Sequence, residues 1–181
     1  MTARIQPAQA PYSDKVQEWL RRTMPPGREP LVLFTTIARD ERLADRFFSG
    51  GLIDRGKISL RQREIVIGRT TALCRCEYEW GVHIAFFGAK VGFSDEQKQS
   101  LVHGGPDDAC WRAGESALIR LCDELHASST VSDAVWAALR QEHAEEALLE
   151  VLMLAGSYHM VSYLANALRL PLEPEGARFP G

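Results

Sequence analysis

Apolar residues recur along most of this chain at intervals of three and four, and Ser, Asp, Pro or Gly stands where the pattern breaks. That period gathers side chains on one face of a helix, so the fold is expected to be all-α. Ser13 can cap a short helix through VQEWL. Pro25, Pro26 and Pro30 then mark a break before two more short helices, in LVLFTTIARD and ERLADRFFSG. Ser59 and Gln62 have the spacing of a capping box and open LRQREIVIGRTTAL, where Ile65, Gly68, Arg69 and Ala72 share a stripe. A helix starting near Cys76 should run to Gly92, a suitable C-cap, and Ser94 with Gln97 repeats the capping box for DEQKQSLV. HGGPDD reads as a loop in which Asp107 or Asp108 caps the next helix, whose core stripe is Ala117, Leu118, Leu121 and Leu125. Ser132 opens a long helical region, two helices meeting near HAEEA or at Gly156 and ending before Pro171. The polar tail EPEGARFPG is expected to be a loosely held arm. The organisation expected is an N-terminal arm with a short helix over 1–29, a helical bundle domain over 30–170 and a tail over 171–181.

Length and composition narrow the function classes. A chain of 181 residues is enough for one domain with a proper core. Its 21 basic and 24 acidic residues give a net charge of −3 without a Lys/Arg block, which speaks against nucleic-acid binding. The N-terminal stretch MTARIQPAQAPYSDK lacks the apolar centre of a signal peptide, and no run of apolar residues approaches a membrane span. Four cysteines, at 74, 76, 110 and 122, are too few for a disulfide framework in a chain this long. A cytoplasmic protein without membrane contact is expected.

The chemistry is concentrated in CRCEYEWGVH, residues 74–83. At about 100° per residue, Cys76, Glu79, Trp80 and His83 project from one side of a helix. Cys76 and His83 would lie roughly 10 Å apart along a straight axis at 1.5 Å per residue, too far for a hydrogen bond. Glu79 stands between them, so the natural unit is a Cys–Glu–His row. A carboxylate favours an imidazolium and disfavours a thiolate, which suits such a row to moving protons more than to nucleophilic attack. Within one continuous helix Cys74 and Cys76 would point about 200° apart, and a disulfide between them would be strained unless the helix breaks at Cys74. Cys-x-Cys followed by a distant histidine does not match structural zinc spacings, and Cys110 and Cys122 belong to another helix, so no metal site is expected. No phosphate loop or dinucleotide fingerprint appears, and no cofactor is expected. Farther along, His159, Ser162, Tyr163 and Asn166 form a polar stripe facing a pocket, a subunit interface or, most simply, water.

The segment REIVIGRTTALCRCEYEWGVHIAFFGAKVG resembles the carboxymuconolactone decarboxylase and alkylhydroperoxidase (AhpD-like) superfamily, most strongly over residues 55–100. The resemblance implies a small helical domain that assembles into homo-oligomers. In the peroxidase branch a glutamate precedes a Cys-x-x-Cys-x-x-x-His sequence. Glu64 matches that glutamate, Cys76 the first cysteine and His83 the histidine, while Glu79 takes the second cysteine's place. The dithiol cycle is therefore not carried over intact, and EYEWGVH is similar to the decarboxylase-like branch, which opens a carboxylated lactone and loses CO₂ without a cofactor. The expectation is acid–base decarboxylation of a small metabolite. His83 would transfer the proton, Glu79 and Glu64 would orient and relay, and Cys76 and Trp80 would shape the pocket. Arg69, Arg75 or an arginine of another subunit would hold the substrate carboxylate. The alternatives are a thiol peroxidase working through Cys76, resolved by an external thiol or Cys74, and a catalytically silent scaffold.

Overall fold

Ser13, Asp40, Ser59, Ser94 and Ser132 each accept the backbone N–H of the residue three positions on, and each begins a helix. The computed structural model describes residues 3–52 and 54–181, so the first two residues of the expected arm lie outside the described residues. The order is α1 (Asp14–Thr23), α2 (Val32–Ile37), α3 (Glu41–Ser49), α4 (Leu60–Leu73), α5 (Glu77–His83) running on into a π-helical turn at Ile84–Gly88, α6 (Asp95–His103), α7 (Ala113–Ser128), α8 (Asp133–Glu142) and α9 (Glu145–Leu168). No strand occurs among the described residues. The fold is all-α.

Helix α4 is the axis of the molecule. Its residues 63–72 are all buried, and it packs against α5, α6, α7 and α9. A helix surrounded in this way needs apolar or internally satisfied side chains all round instead of a single stripe. Ile65, Val66 and Ile67 supply the main core together with Leu101, Leu118, Leu121, Leu148, Val151 and Leu154. Thr71 bonds its hydroxyl back to the Ile67 carbonyl. Arg69 spends its charge on Asp123, at 2.6 Å, and on the Leu101 and Gly104 carbonyls at the end of α6. A second cluster, built from Leu33, Cys76, Tyr78, Val82, Val161 and Ala165, joins α2, α5 and α9, while Val16, Trp19, Leu20 and Ala44 join α1 to α3.

Helix α9 has an 18-residue window of mean hydropathy 1.3, long and apolar enough to cross a membrane by length and composition, contrary to the sequence expectation. Here 44% of that window is buried, because its inner face carries Leu148, Val151, Leu154 and Tyr158 into the core. Leu149, Met153, Met160 and Tyr163 stay exposed on its outer face.

Two local expectations change. Asp108 does not cap α7: its carboxylate accepts from Gly105 N–H and Ser100 Oγ–H, and Asp107 pairs with Arg120, while α7 starts at Ala113, five residues after Asp108. Tight Gly-Gly-Pro geometry uses the aspartates to hold its own turn. Of the two boundaries expected for the long C-terminal helical region, the one at HAEEA holds, with His143 and Ala144 between α8 and α9, and Gly156 sits inside α9. The tail is strapped down. Glu173 takes the Val32 N–H and the Tyr78 O–H, Ala177 N–H donates to the Gly81 carbonyl at 2.9 Å, Phe179 N–H donates to Glu77, and the Phe179 ring lies 5.2 Å from Trp80. Composition alone hides this, since the strap's anchors are one carboxylate, two backbone N–H groups and one aromatic ring.

Gly81 is the hinge of that strap: a Cβ there would sit 2.3 Å from the Ala177 carbonyl oxygen. Gly81→Ala should therefore expel residues 171–181. Limited trypsinolysis should then remove the residues after Arg178 rapidly in the variant and slowly in the parent, as read by intact mass; equal rates would show that the strap is not held at Gly81.

Candidate active site

The chain between α4 and α5 breaks helical geometry over three residues. Cys74 caps α4, Arg75 adopts φ 52°, and Cys76 is the N-cap of α5. Arg75 N–H reaches the Ala72 carbonyl and Cys76 N–H the Thr71 carbonyl, each at 2.8 Å, which is the paired bonding of a Schellman motif. A non-glycine residue in the left-handed region costs of order 1 kcal/mol. The two cysteines thus stand on a turn, not on one helix, and both thiols lie near the buried hydroxyl of Ser162 in α9. Ser162 belongs to the polar stripe expected to face a pocket, a subunit interface or, most simply, water, yet it is fully buried, its hydroxyl donating to the Tyr158 carbonyl at 2.7 Å.

One turn further, α5 presents Glu79, Trp80 and His83, all buried. Glu64 approaches from α4. Its Oε2 lies 2.8 Å from His83 Nδ1, while Glu79 Oε1 lies 3.4 Å from Nε2, so the ring is held between two carboxylates. Burial alone would push the His83 pKa down. The charge and hydrogen bond of Glu64, then those of Glu79, overcome it and raise the pKa from 6.5 to about 10, which makes the ring an imidazolium at neutral pH. Phe87 stacks on the ring at 5.5 Å from the first π-helical turn, and Tyr158 of α9 meets it edge-on at 5.0 Å. A π-helical segment beginning directly after His83 brings Phe87 over the ring.

Cys76 is fully buried. Burial raises its pKa to about 11, the Glu79 N–H that it accepts opposes this, and the Glu79 carboxylate adds to it. The thiol therefore meets Glu79 through the peptide N–H. Trp80 is 1% exposed and covered by Phe179, so in this conformation it is an interior wall. Both Trp80 Nε1 and Glu79 Oε2 are buried without a hydrogen-bond partner. Each such atom carries a desolvation cost of about 1–3 kcal/mol, which a bound polar group can relieve.

The structure brings Glu64, Cys76, Glu79, Trp80 and His83 together and leaves out both arginines. Arg69 is committed to Asp123 and the end of α6, because its position on α4 faces α6 and α7, and Arg75 is exposed on the junction. Tyr158 and Phe87 were missed by the sequence reading. Tyr158 sits on the apolar side of α9, one residue before the polar stripe, and Phe87 belongs to a helical register that the π turn shifts.

No family model matches the sequence, and no curated protein matches it. Solved structures do. An uncharacterised peroxidase-related protein from Silicibacter sp. TM1040 superposes with a TM-score of 0.82 at 18% identity, over 99% of this chain and 96% of that one. The debrominase Bmp8, with 2,3,4-tribromopyrrole bound, gives 0.79 at 11% identity over 97% and 94%. A peroxidase-related protein from Ralstonia eutropha JMP134, described as an alkylhydroperoxidase AhpD core, gives 0.74 at 16% identity over 94% of each chain.

Proposed function

Because this chain has the AhpD-like helical fold, we propose that it is an enzyme of that fold performing cofactor-free proton transfer at the Glu64–His83–Glu79 row, in the manner of a decarboxylase. The observation that carries the reading is the buried His83 ring pinned between two carboxylates, one of which keeps an uncommitted oxygen, Glu79 Oε2. Nδ1 is tied to Glu64 by the short contact and Nε2 to Glu79 by the long one, so Nε2 carries the proton that is given away.

In this reading the carboxylate of a small lactone enters beside His83, since neither Arg69 nor Arg75 stands at the row. The C–C bond to the carboxylate breaks, CO₂ leaves, and the electron pair remains on the ring carbon. Nε2–H protonates that carbon, and the imidazole regains its proton from solvent through Glu79. Like charge between Glu79 and the substrate carboxylate raises the energy of the bound ground state, and the negative charge that CO₂ loss leaves on carbon is neutralised by the proton from Nε2. The tribromopyrrole bound by the debrominase supports a small planar ring as the size class. The homo-oligomer is part of the same proposal, with the exposed α9 residues Leu149, Met153, Met160 and Tyr163 as the face it would bury.

The peroxidase reading finds its reactive group withdrawn: Cys76 is buried, its pKa is raised, and Glu79 fills the place of a resolving cysteine. The test combines two measurements. Reduced protein is treated with stoichiometric hydroperoxide, and sulfenic acid is trapped and weighed by intact mass. Carboxylated lactones are then screened in D₂O for CO₂ release and deuterium at carbon. We expect no Cys76-dependent trapping, and turnover that survives Cys76→Ser. Rapid trapping lost in Cys76→Ser would replace this reading with the peroxidase.

A further inference from the structure

Outside the row, three donors that no sequence spacing connects converge at one corner of the bundle. Cys74 ends α4, His126 lies in the last turn of α7, and His159 projects from α9. Their ligand atoms, Sγ and one ring nitrogen from each histidine, all lie within 4.8 Å of one another. We propose that Cys74, His126 and His159 form a binding site for a zinc-class divalent cation, supplying three ligands and leaving a fourth position open.

The donor set selects the metal. A thiolate with two imidazoles suits zinc and its borderline neighbours and is poor for magnesium or calcium, which take oxygen. In a tetrahedral site with bonds of about 2.0–2.3 Å the donor atoms stand roughly 3.3–3.8 Å apart. Closing the present cluster therefore takes side-chain adjustments of roughly 1 Å, and the exposed His126 side chain has room to turn. Cys74 is held firmly by the α4 Schellman turn and by Asn166 Nδ2, which donates to its carbonyl at 2.9 Å.

The surroundings favour a cation. The carboxyl ends of α4 and α7 meet here, and each carries partial negative charge. The two imidazoles stack with centroids 5.4 Å apart and planes 13° from parallel, an arrangement that two protonated rings would oppose. Tyr163 packs beside the His159 ring at 4.9 Å. Metal binding must displace the Cys74 proton, as it does for any thiol ligand.

The site is separate from the acid–base row. Cys76 faces Glu79 and is fully buried, whereas Cys74 is half-buried and turned toward α7 and α9. The three-ligand pattern with an open position is that of metal sites that admit water or an anion.

The experiment uses untagged, chelator-treated, reduced protein. Equimolar Zn²⁺ is measured by equilibrium dialysis and thermal unfolding, and Co²⁺ by its thiolate-to-metal charge-transfer band. We expect one metal per chain and a raised unfolding midpoint with Zn²⁺. The cobalt band should vanish in Cys74→Ser and persist in Cys76→Ser and His83→Gln. His126→Asn, an exposed change that spares the fold, should weaken binding by about tenfold or more. No bound metal, a band that survives Cys74→Ser, or unchanged affinity in His126→Asn would overturn the site, and none of these outcomes bears on the acid–base reading.

Discussion

His83→Gln is expected to reduce turnover by about 100- to 10,000-fold, the range over which a positioned proton donor contributes to catalysis. Glutamine fills much of the same volume and can still bond Glu64, so the packing against Phe87 and Tyr158 is largely kept. It has no proton to give near neutral pH. The measurement is kcat on whichever lactone the screen returns, with circular dichroism to show that the variant is folded. A variant that is folded and fully active would remove His83 from the chemistry, and with it the proposed mechanism.

Glu64→Gln should have the next largest effect, and it reads the same site through stability. The folded His83 holds its proton up to a pKa of about 10 against 6.5 in the unfolded chain. A raised folded pKa means that the protonated ring stabilises the fold fully below about pH 6.5, and that this contribution fades as pH rises through about 10. Removing the Glu64 charge takes away the largest cause that raises the pKa. The variant should therefore be less stable than the parent by about 1.5–3 kcal/mol near pH 6.5, the worth of a hydrogen bond to a charged group. The gap should narrow toward pH 10, where the parent ring is losing its proton too. Chemical denaturation of both proteins across that window, with ring titration by NMR, checks it. A pH-independent gap would mean that Glu64 acts only by packing.

Most of the row was legible because Glu79 and His83 share one short helix. Glu79, Trp80 and His83 fall on one side of any α-helix whatever surrounds it, and Glu64 was found by its register with the motif rather than by geometry. The same local logic found the caps at Ser13, Ser59, Ser94 and Ser132, since a serine followed by a helix start needs only the N–H of the third residue on. It failed at Asp108, where the Gly105 N–H and the Ser100 hydroxyl take the carboxylate. It failed at Arg69 too, because a residue on a helix buried all round has no single facing that its spacing can reveal.

By itself, the sequence determined what depends on neighbours within about one helical turn: the all-α class, most helix starts, and the alignment of Glu79 and His83. The tertiary structure decided everything that depends on which helix meets which. It placed Glu64 at 2.8 Å from His83, stood Tyr158 against the ring, brought Cys74 together with His126 and His159, and laid the tail over Trp80. Those contacts join residues separated by tens of positions. Their energies come from burial and from charges brought together in a low-dielectric interior, which no local period along the chain encodes.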